Sequence, residues 1–140
     1  MKPLKRSVAL VIEGPSGLLL VRRPEDDESL PGEWGLPAAT LRPDETEEDA
    51  VRRAGRDKLG VEVRPLRVLG EASGQRPGYR ILMRDWAVEI VAGEPEVPRA
   101  GDGTQYESWR WGEPADLVPA ARHGSLCARL LLRERGIEPD

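Results

Sequence analysis

The chain has 140 residues, 39% of them hydrophobic, which suits one domain over residues 1–140 with a real core. Its net charge of −4, with no strongly basic segment, argues against a nucleic-acid binder. The single cysteine, Cys127, excludes an internal disulfide framework and fits a reducing cytoplasm; no apolar run is long enough for a signal peptide or a membrane span.

In chain order, Ser7 to Glu13 is rich in β-branched and aliphatic residues and reads as a strand. Gly14 to Gly17 is a turn and Leu18 to Arg22 a second strand, so the chain opens with a hairpin. The runs Val8–Ile12 and Leu18–Val21 are apolar throughout, as expected of strands covered on both faces. Arg22 and Arg23 close the second strand, and the polar stretch Glu25 to Leu30 is a loop.

A capped helix follows. Thr46 is a good N-cap, because its hydroxyl can accept from an unpaired N–H of the first turn, and Asp49 is placed to close a capping box. Glu47, Glu48 and Asp49 put negative charge at the positive end of the helix. Ala50, Val51, Ala54 and Leu59 form a modest apolar face, and Gly60 suits the C′ position. Gly55 inside this helix costs about 1 kcal/mol relative to alanine.

Beyond the helix, Glu62 to Glu71 reads as a strand that Pro65 confines to an edge or a bulge. Gly74 to Gly78 reads as a loop, and Tyr79 to Val91 as the longest strand, with a bulge near Arg84 and Asp85 where the alternation fails. Gly93 to Gly103 is a loop, Gln105 to Trp111 a short strand, and Glu113 to Leu117 a short helical segment. Ser125 to Arg135 is the last helix, with Leu126, Leu130 and Leu131 as its packing stripe and Gly136 as its stop. His123 reads as a surface residue and Cys127 as a small buried one. Trp34, Trp86, Trp109, Trp111 and Tyr79 are candidates for stacking on a nucleobase. With no phenylalanine present, tryptophan must also fill core; Trp86 is assigned there and Trp111 stays open.

The stretch Trp34 to Val61 resembles the Nudix box, whose pattern is Gly, five residues, Glu, seven residues, then Arg-Glu-apolar-x-Glu-Glu-x-Gly-apolar. On this chain the positions fall on Ala39, Glu45 and Arg53, then on Ala54, Asp57 and Lys58 for the helical glutamates, closing with Gly60-Val61. The resemblance implies an α/β fold, a Nudix-type α/β/α sandwich around a mixed sheet. It also implies Mg²⁺- or Mn²⁺-dependent cleavage of nucleoside diphosphates linked to another group, and frequent homodimers.

The chemistry explains why the departures matter. Mg²⁺ prefers carboxylate oxygens in octahedral geometry, and helix positions three and four apart share a face on which such ligands converge. Here Asp57 and Lys58 cancel and Ala54 supplies no oxygen. Glu45 and Arg53 fill the positions of a structural ion pair in the family. Three readings are open. In the first, hydrolysis is weak or lost, no cofactor is needed, and the protein holds a nucleotide-like small molecule or a protein partner. Lys58 then meets a phosphate directly, helped by Arg22, Arg23 and Arg56. In the second, the protein is an active hydrolase with a relocated metal site built from Asp57 with Glu45, Glu48 or Glu107. Asp102 and Glu107 are the late acidic candidates. In the third, it is a structural module of a larger assembly.

Overall fold

The computed structural model describes residues 2–98 and 106–139. The opening hairpin is formed by β1 (Leu4–Gly14) and β2 (Gly17–Arg22). Two short strands follow, β3 (Trp34–Gly35) and β4 (Ala38–Thr40), and lead into α1 (Glu47–Leu59). The long pair β5 (Glu62–Arg76) and β6 (Tyr79–Ala92) comes next, then β7 (Ser108–Gly112). A 3₁₀ turn (Pro114–Leu117), α2 (Val118–Arg122) and α3 (Leu126–Glu134) complete the chain.

The sheet is mixed, with order β3-β2-β1-β6-β5; β4 also pairs with β1, and β7 with β2. β1 and β6 run parallel, Leu4 opposite Arg80 through Ile12 opposite Val88, while the other pairings are antiparallel. The pleat sends alternate side chains to opposite faces. Val8, Leu10 and Ile12 join Val51, Ala54 and Leu59 of α1 in one core. Ala9, Val11 and Met83 join Leu117, Ala128 and Leu131 in the other. Both apolar runs of the hairpin are therefore buried on both faces, and the result is the α/β/α sandwich.

The ends of α1 match the expected signals. The Thr46 hydroxyl accepts from the Asp49 N–H at 3.1 Å, and Gly60 terminates the helix at φ 65°. Asp49 turns to Arg52 at 3.6 Å. Glu47 differs from the expectation of a solvated dipole partner. It is buried, and its carboxylate accepts from Arg6 at 2.6 Å, Arg84 at 3.0 Å and the Trp86 indole at 2.9 Å. Trp86 thus packs on the α1-side core with its one polar atom satisfied.

Several details differ from the expectation. The expected loop at Gly74 to Gly78 shrinks to a two-residue turn, because Gln75 pairs with Arg80 and Arg76 with Tyr79. The irregularity expected on β6 near Asp85 lies on its partner. Between Val68, opposite Trp86, and Gly70, opposite Asp85, β5 carries one extra residue. The strand expected from Gln105 begins at Ser108. Part of the loop expected over Gly93 to Gly103, with Asp102, lies outside the described residues.

Candidate functional site

The loop before α1 is braced by one ion pair. Arg53 donates from Nε to Glu45 Oε2 and from Nη2 to Glu45 Oε1, both at 2.8 Å, and from Nη2 to the Thr40 carbonyl at 2.8 Å. Glu45 also accepts from the Arg42 backbone N–H at 2.9 Å. The Arg53 bonds pull its carboxyl down to about 2. Both oxygens of Glu45 are thus engaged in holding the loop against the helix.

The three following helix positions diverge in environment. Ala54 is fully buried in the α1-side core, Asp57 is exposed, and Lys58 is buried with its Nζ 5.8 Å from the centre of the Tyr106 ring. Arg56 is exposed and lies beside Gly60, Val61 and Gly93, away from Lys58's side of the helix. Arg22 bonds to Glu25 and to Glu107, which occupies one carboxylate oxygen of the late acidic candidate. Arg23 pairs with Asp27 at 3.4 Å. Among the described residues, no three His, Cys, Asp or Glu side chains come together in a group that could hold a metal ion. The proposed ligands Asp57, Glu45 and Glu107 are therefore not gathered into one such group.

What the fold does gather is a cavity of about 730 Å³ running from α1 to the start of α3. Among the described residues its charged lining is entirely basic: Arg23, Arg42, Arg53, Lys58 and Arg76, with His123 beside them. Among the described residues, three carboxylates that pair with these bases stand outside the lining, Asp27 with Arg23, Glu45 with Arg53 and Glu33 with His123. Such an arrangement presents N–H donors to the cavity, which suits a phosphate or carboxylate oxygen. Of the five aromatic candidates for base stacking, only Tyr79 contributes to the lining. Trp34 instead faces the Arg110 guanidinium at 4.4 Å, and Trp109 meets Trp111 edge-on at 5.7 Å.

Several lining residues were missed by the sequence reading. Tyr106 is buried, accepts from the Ala38 N–H at 3.0 Å, and has its phenol pushed up by burial. Arg76 sits at the tip of the long hairpin and donates to the Gly124 carbonyl at 3.2 Å, tying it to the start of α3. Cys127 behaves as a buried thiol, pushed up to about 11 chiefly by desolvation. Only Arg42 carried a usable signal, its position inside the Glu45 loop.

The NUDIX domain model matches residues 3–131 of this chain. Isopentenyl-diphosphate Delta-isomerase of Corynebacterium glutamicum is 32% identical over 136 residues, covering 84% of this chain and 67% of that protein. Nucleoside triphosphatase NudI of Escherichia coli is 27% identical over 122 residues, covering 79% and 83% respectively. A NUDIX hydrolase from Nitrosomonas europaea superposes with a TM-score of 0.74 at 20% identity, over 96% of this chain and 89% of that one, which is a likeness of fold.

Proposed function

The chain belongs to the NUDIX family, and from that premise we propose that it binds a phosphate-bearing, nucleotide-like small molecule in the basic cavity with little or no hydrolysis. The observation that carries this reading is the lining itself, which offers five cationic side chains and no carboxylate among the described residues. Lys58 meets the phosphate as a point charge, with Arg23 and Arg42 beside it and Arg53 held in place by Glu45. Two of the relatives bear names that specify a diphosphate and a nucleoside triphosphate, so a phosphoanhydride head is the part of the ligand they share. Arg22 and Arg56 are not in the described lining and take no direct part in this reading.

The Mg²⁺ or Mn²⁺ associated with the family does not fit the donors that this helix face presents. A hard divalent ion needs several converging oxygens. Ala54 offers none, Lys58 repels a cation, exposed Asp57 stands outside the cavity, and Glu45 is committed to Arg53. No hydrolytic step is therefore assigned to a metal here. The same reading places the protein in the cytoplasm, without nucleic-acid or membrane partners, and allows a homodimer. No helix among the described residues is long and apolar enough to cross a membrane.

The test is release of phosphate or nucleoside monophosphate from nucleotide sugars, ADP-ribose, dinucleoside polyphosphates and nucleoside triphosphates, each with Mg²⁺, Mn²⁺ or EDTA. The expected result is no metal-dependent turnover, together with thermal stabilisation by at least one of these ligands in EDTA. Stabilisation should be lost in Lys58→Glu. Robust turnover with Mg²⁺ that disappears in Asp57→Ala would establish the relocated hydrolase instead. Absence of both turnover and stabilisation would favour the structural-module reading.

A further inference from the structure

The positive charge of the cavity is not confined to its α1 end. In this chain of net charge −4, residues 1–12 and 72–84 contain no aspartate or glutamate, and β1 and β6 bring the two stretches side by side. Arg6 and Arg84 turn from them to Glu47 on the α1 side. Arg76 and Lys5 stay on the cavity side. The Arg76 guanidinium donates to the Gln75 carbonyl at 3.1 Å and the Gly124 carbonyl at 3.2 Å, and meets no carboxylate among the described residues. Those bonds leave N–H donors to spare. Lys5 holds its Nζ 4.3 Å from the centre of the Tyr79 ring and likewise meets no carboxylate among the described residues. The pleat puts Lys5 on the same face as Ser7, and Tyr79 lies opposite Arg76; Ser7, Tyr79 and Arg76 all line the cavity. His123 borders this end too, but Glu33 already holds its ring through Nδ1.

The sheet register sets the two basic ends apart. Arg53 bonds to the Thr40 carbonyl, and Thr40, Ser7 and Met83 lie opposite one another in a single row. Arg76 lies opposite Tyr79, four residues along β6 from Met83, which is about 13 Å of strand. The row between them pairs Gly74 with Ile81, and a Cβ at Gly74 would stand 3.4 Å from Leu126. Ile81 and Leu126 are therefore the middle of the cavity. Both arginines are pinned, Arg53 by Glu45 and Thr40, Arg76 by Gly124, so the two do not swing together onto one phosphate.

We infer that the preferred ligand is a small molecule phosphorylated at both ends, one phosphate meeting Lys58 and Arg42 and the other meeting Arg76 and Lys5 beside Tyr79. This rests on the phosphate-binding reading above and narrows it. A volume of about 730 Å³ accommodates such a molecule without opening the core. Arg76 and Lys5 then determine specificity, because a ligand with one phosphate satisfies the α1 end and leaves their charge uncompensated.

The test is isothermal titration of the full chain, in EDTA at fixed ionic strength, with fructose 1,6-bisphosphate and fructose 6-phosphate, which differ only in the second phosphate. The bisphosphate should bind at least about tenfold tighter, the effect of one further set of charge-assisted bonds. Arg76→Gln should cut bisphosphate affinity about tenfold and Lys5→Gln severalfold, each leaving fructose 6-phosphate within about twofold. Retained monophosphate binding reports that Arg76→Gln is folded. Lys5, whose ammonium makes no hydrogen bond among the described residues, supplies a second variant without that risk. Arg56→Gln, exposed and outside the lining, removes the same charge elsewhere and should leave both affinities unchanged. Equal affinity for the two ligands, or a bisphosphate preference that survives both substitutions, would overturn the second phosphate end while leaving the first standing. A loss in Arg56→Gln as large as that in Arg76→Gln would overturn it as well, since only net charge would then be read. Failure of both ligands to bind would overturn the phosphate-binding reading and this inference with it.

Discussion

A carboxyl group with no hydrogen-bond partner among the described residues lies beneath α3. Asp85 is 1% exposed, on the β6 face that carries Met83, and neither of its oxygens is bonded. Desolvation pushes it up to about 8, so at neutral pH it stays protonated inside the core. The sign of the resulting pH dependence follows directly. Below about pH 4 the group is protonated in both folded and unfolded chains, so its titration adds no pH dependence there. Between about pH 4 and pH 8 only the unfolded chain releases the proton, so stability falls as pH rises, by on the order of 5 kcal/mol across the window. Glu45 acts in the opposite sense: its lowered value contributes stability that is lost as pH drops from about 4.5 toward 2. Asp85→Asn should therefore raise the melting temperature strongly at pH 8, less at pH 6 and hardly at all at pH 4. Melts of both proteins that run parallel from pH 4 to pH 8 would refute the assignment. In the sequence Asp85 was visible only as a break in alternation, and a bulge was the natural reading. The bulge exists, on the neighbouring strand, but the acid is buried all the same.

The same contrast between pattern and packing governs α1. Its caps were readable because a hydroxyl before the first turn and a glycine after the last act locally. Its attachment to the sheet was not, because the partners of Glu47 lie 41, 37 and 39 residues away. Glu47→Gln keeps the shape while removing the charge that two guanidiniums share, and charge-assisted bonds of this kind contribute about 1.5–3 kcal/mol each. Arg6 and Arg84 are partly exposed, at 47% and 34%, which screens the pair energies. The expected loss is about 1–2 kcal/mol in urea unfolding. No change would mean that the cluster is only surface electrostatics. Gly55 makes the complementary case. Helix propensity alone predicts that Gly55→Ala stabilises by about 1 kcal/mol. A Cβ there would stand 2.9 and 3.0 Å from the two methyls of Val63, a buried side chain of β5. Close approach of α1 to the sheet outweighs propensity, so Gly55→Ala should lower the unfolding midpoint. A raised midpoint would show that Val63 can give way.

At the scale of the whole molecule, the order of elements was legible and their assembly was not. Continuous apolar runs, turn glycines and caps are local signals, so hairpin, box helix, long strand pair and last helix emerged in sequence order. The parallel pairing of β1 with β6 joins segments some seventy residues apart, and nothing local announces it. The site divides the same way. Arg53 and Lys58 were named because they fall on a family pattern, whereas Arg76, His123 and Tyr106 reach the cavity only through tertiary structure. Arg76 was placed in a loop, yet it ends a strand and bonds to the Gly124 carbonyl just ahead of α3. The cavity is therefore a joint between the two layers that flank the sheet, and a ligand filling it has to order both. Hydrogen exchange measured with and without pyrophosphate in EDTA tests this. Slowed exchange is expected at the second half of α1, at the loop carrying Arg42 and Glu45, and at residues 123–128, with β5 near Leu66 and Val68, exposed and remote from the lining, unchanged. Protection confined to α1 and its loop would make the site one-sided, because a ligand that spans the joint cannot leave the start of α3 as mobile as before.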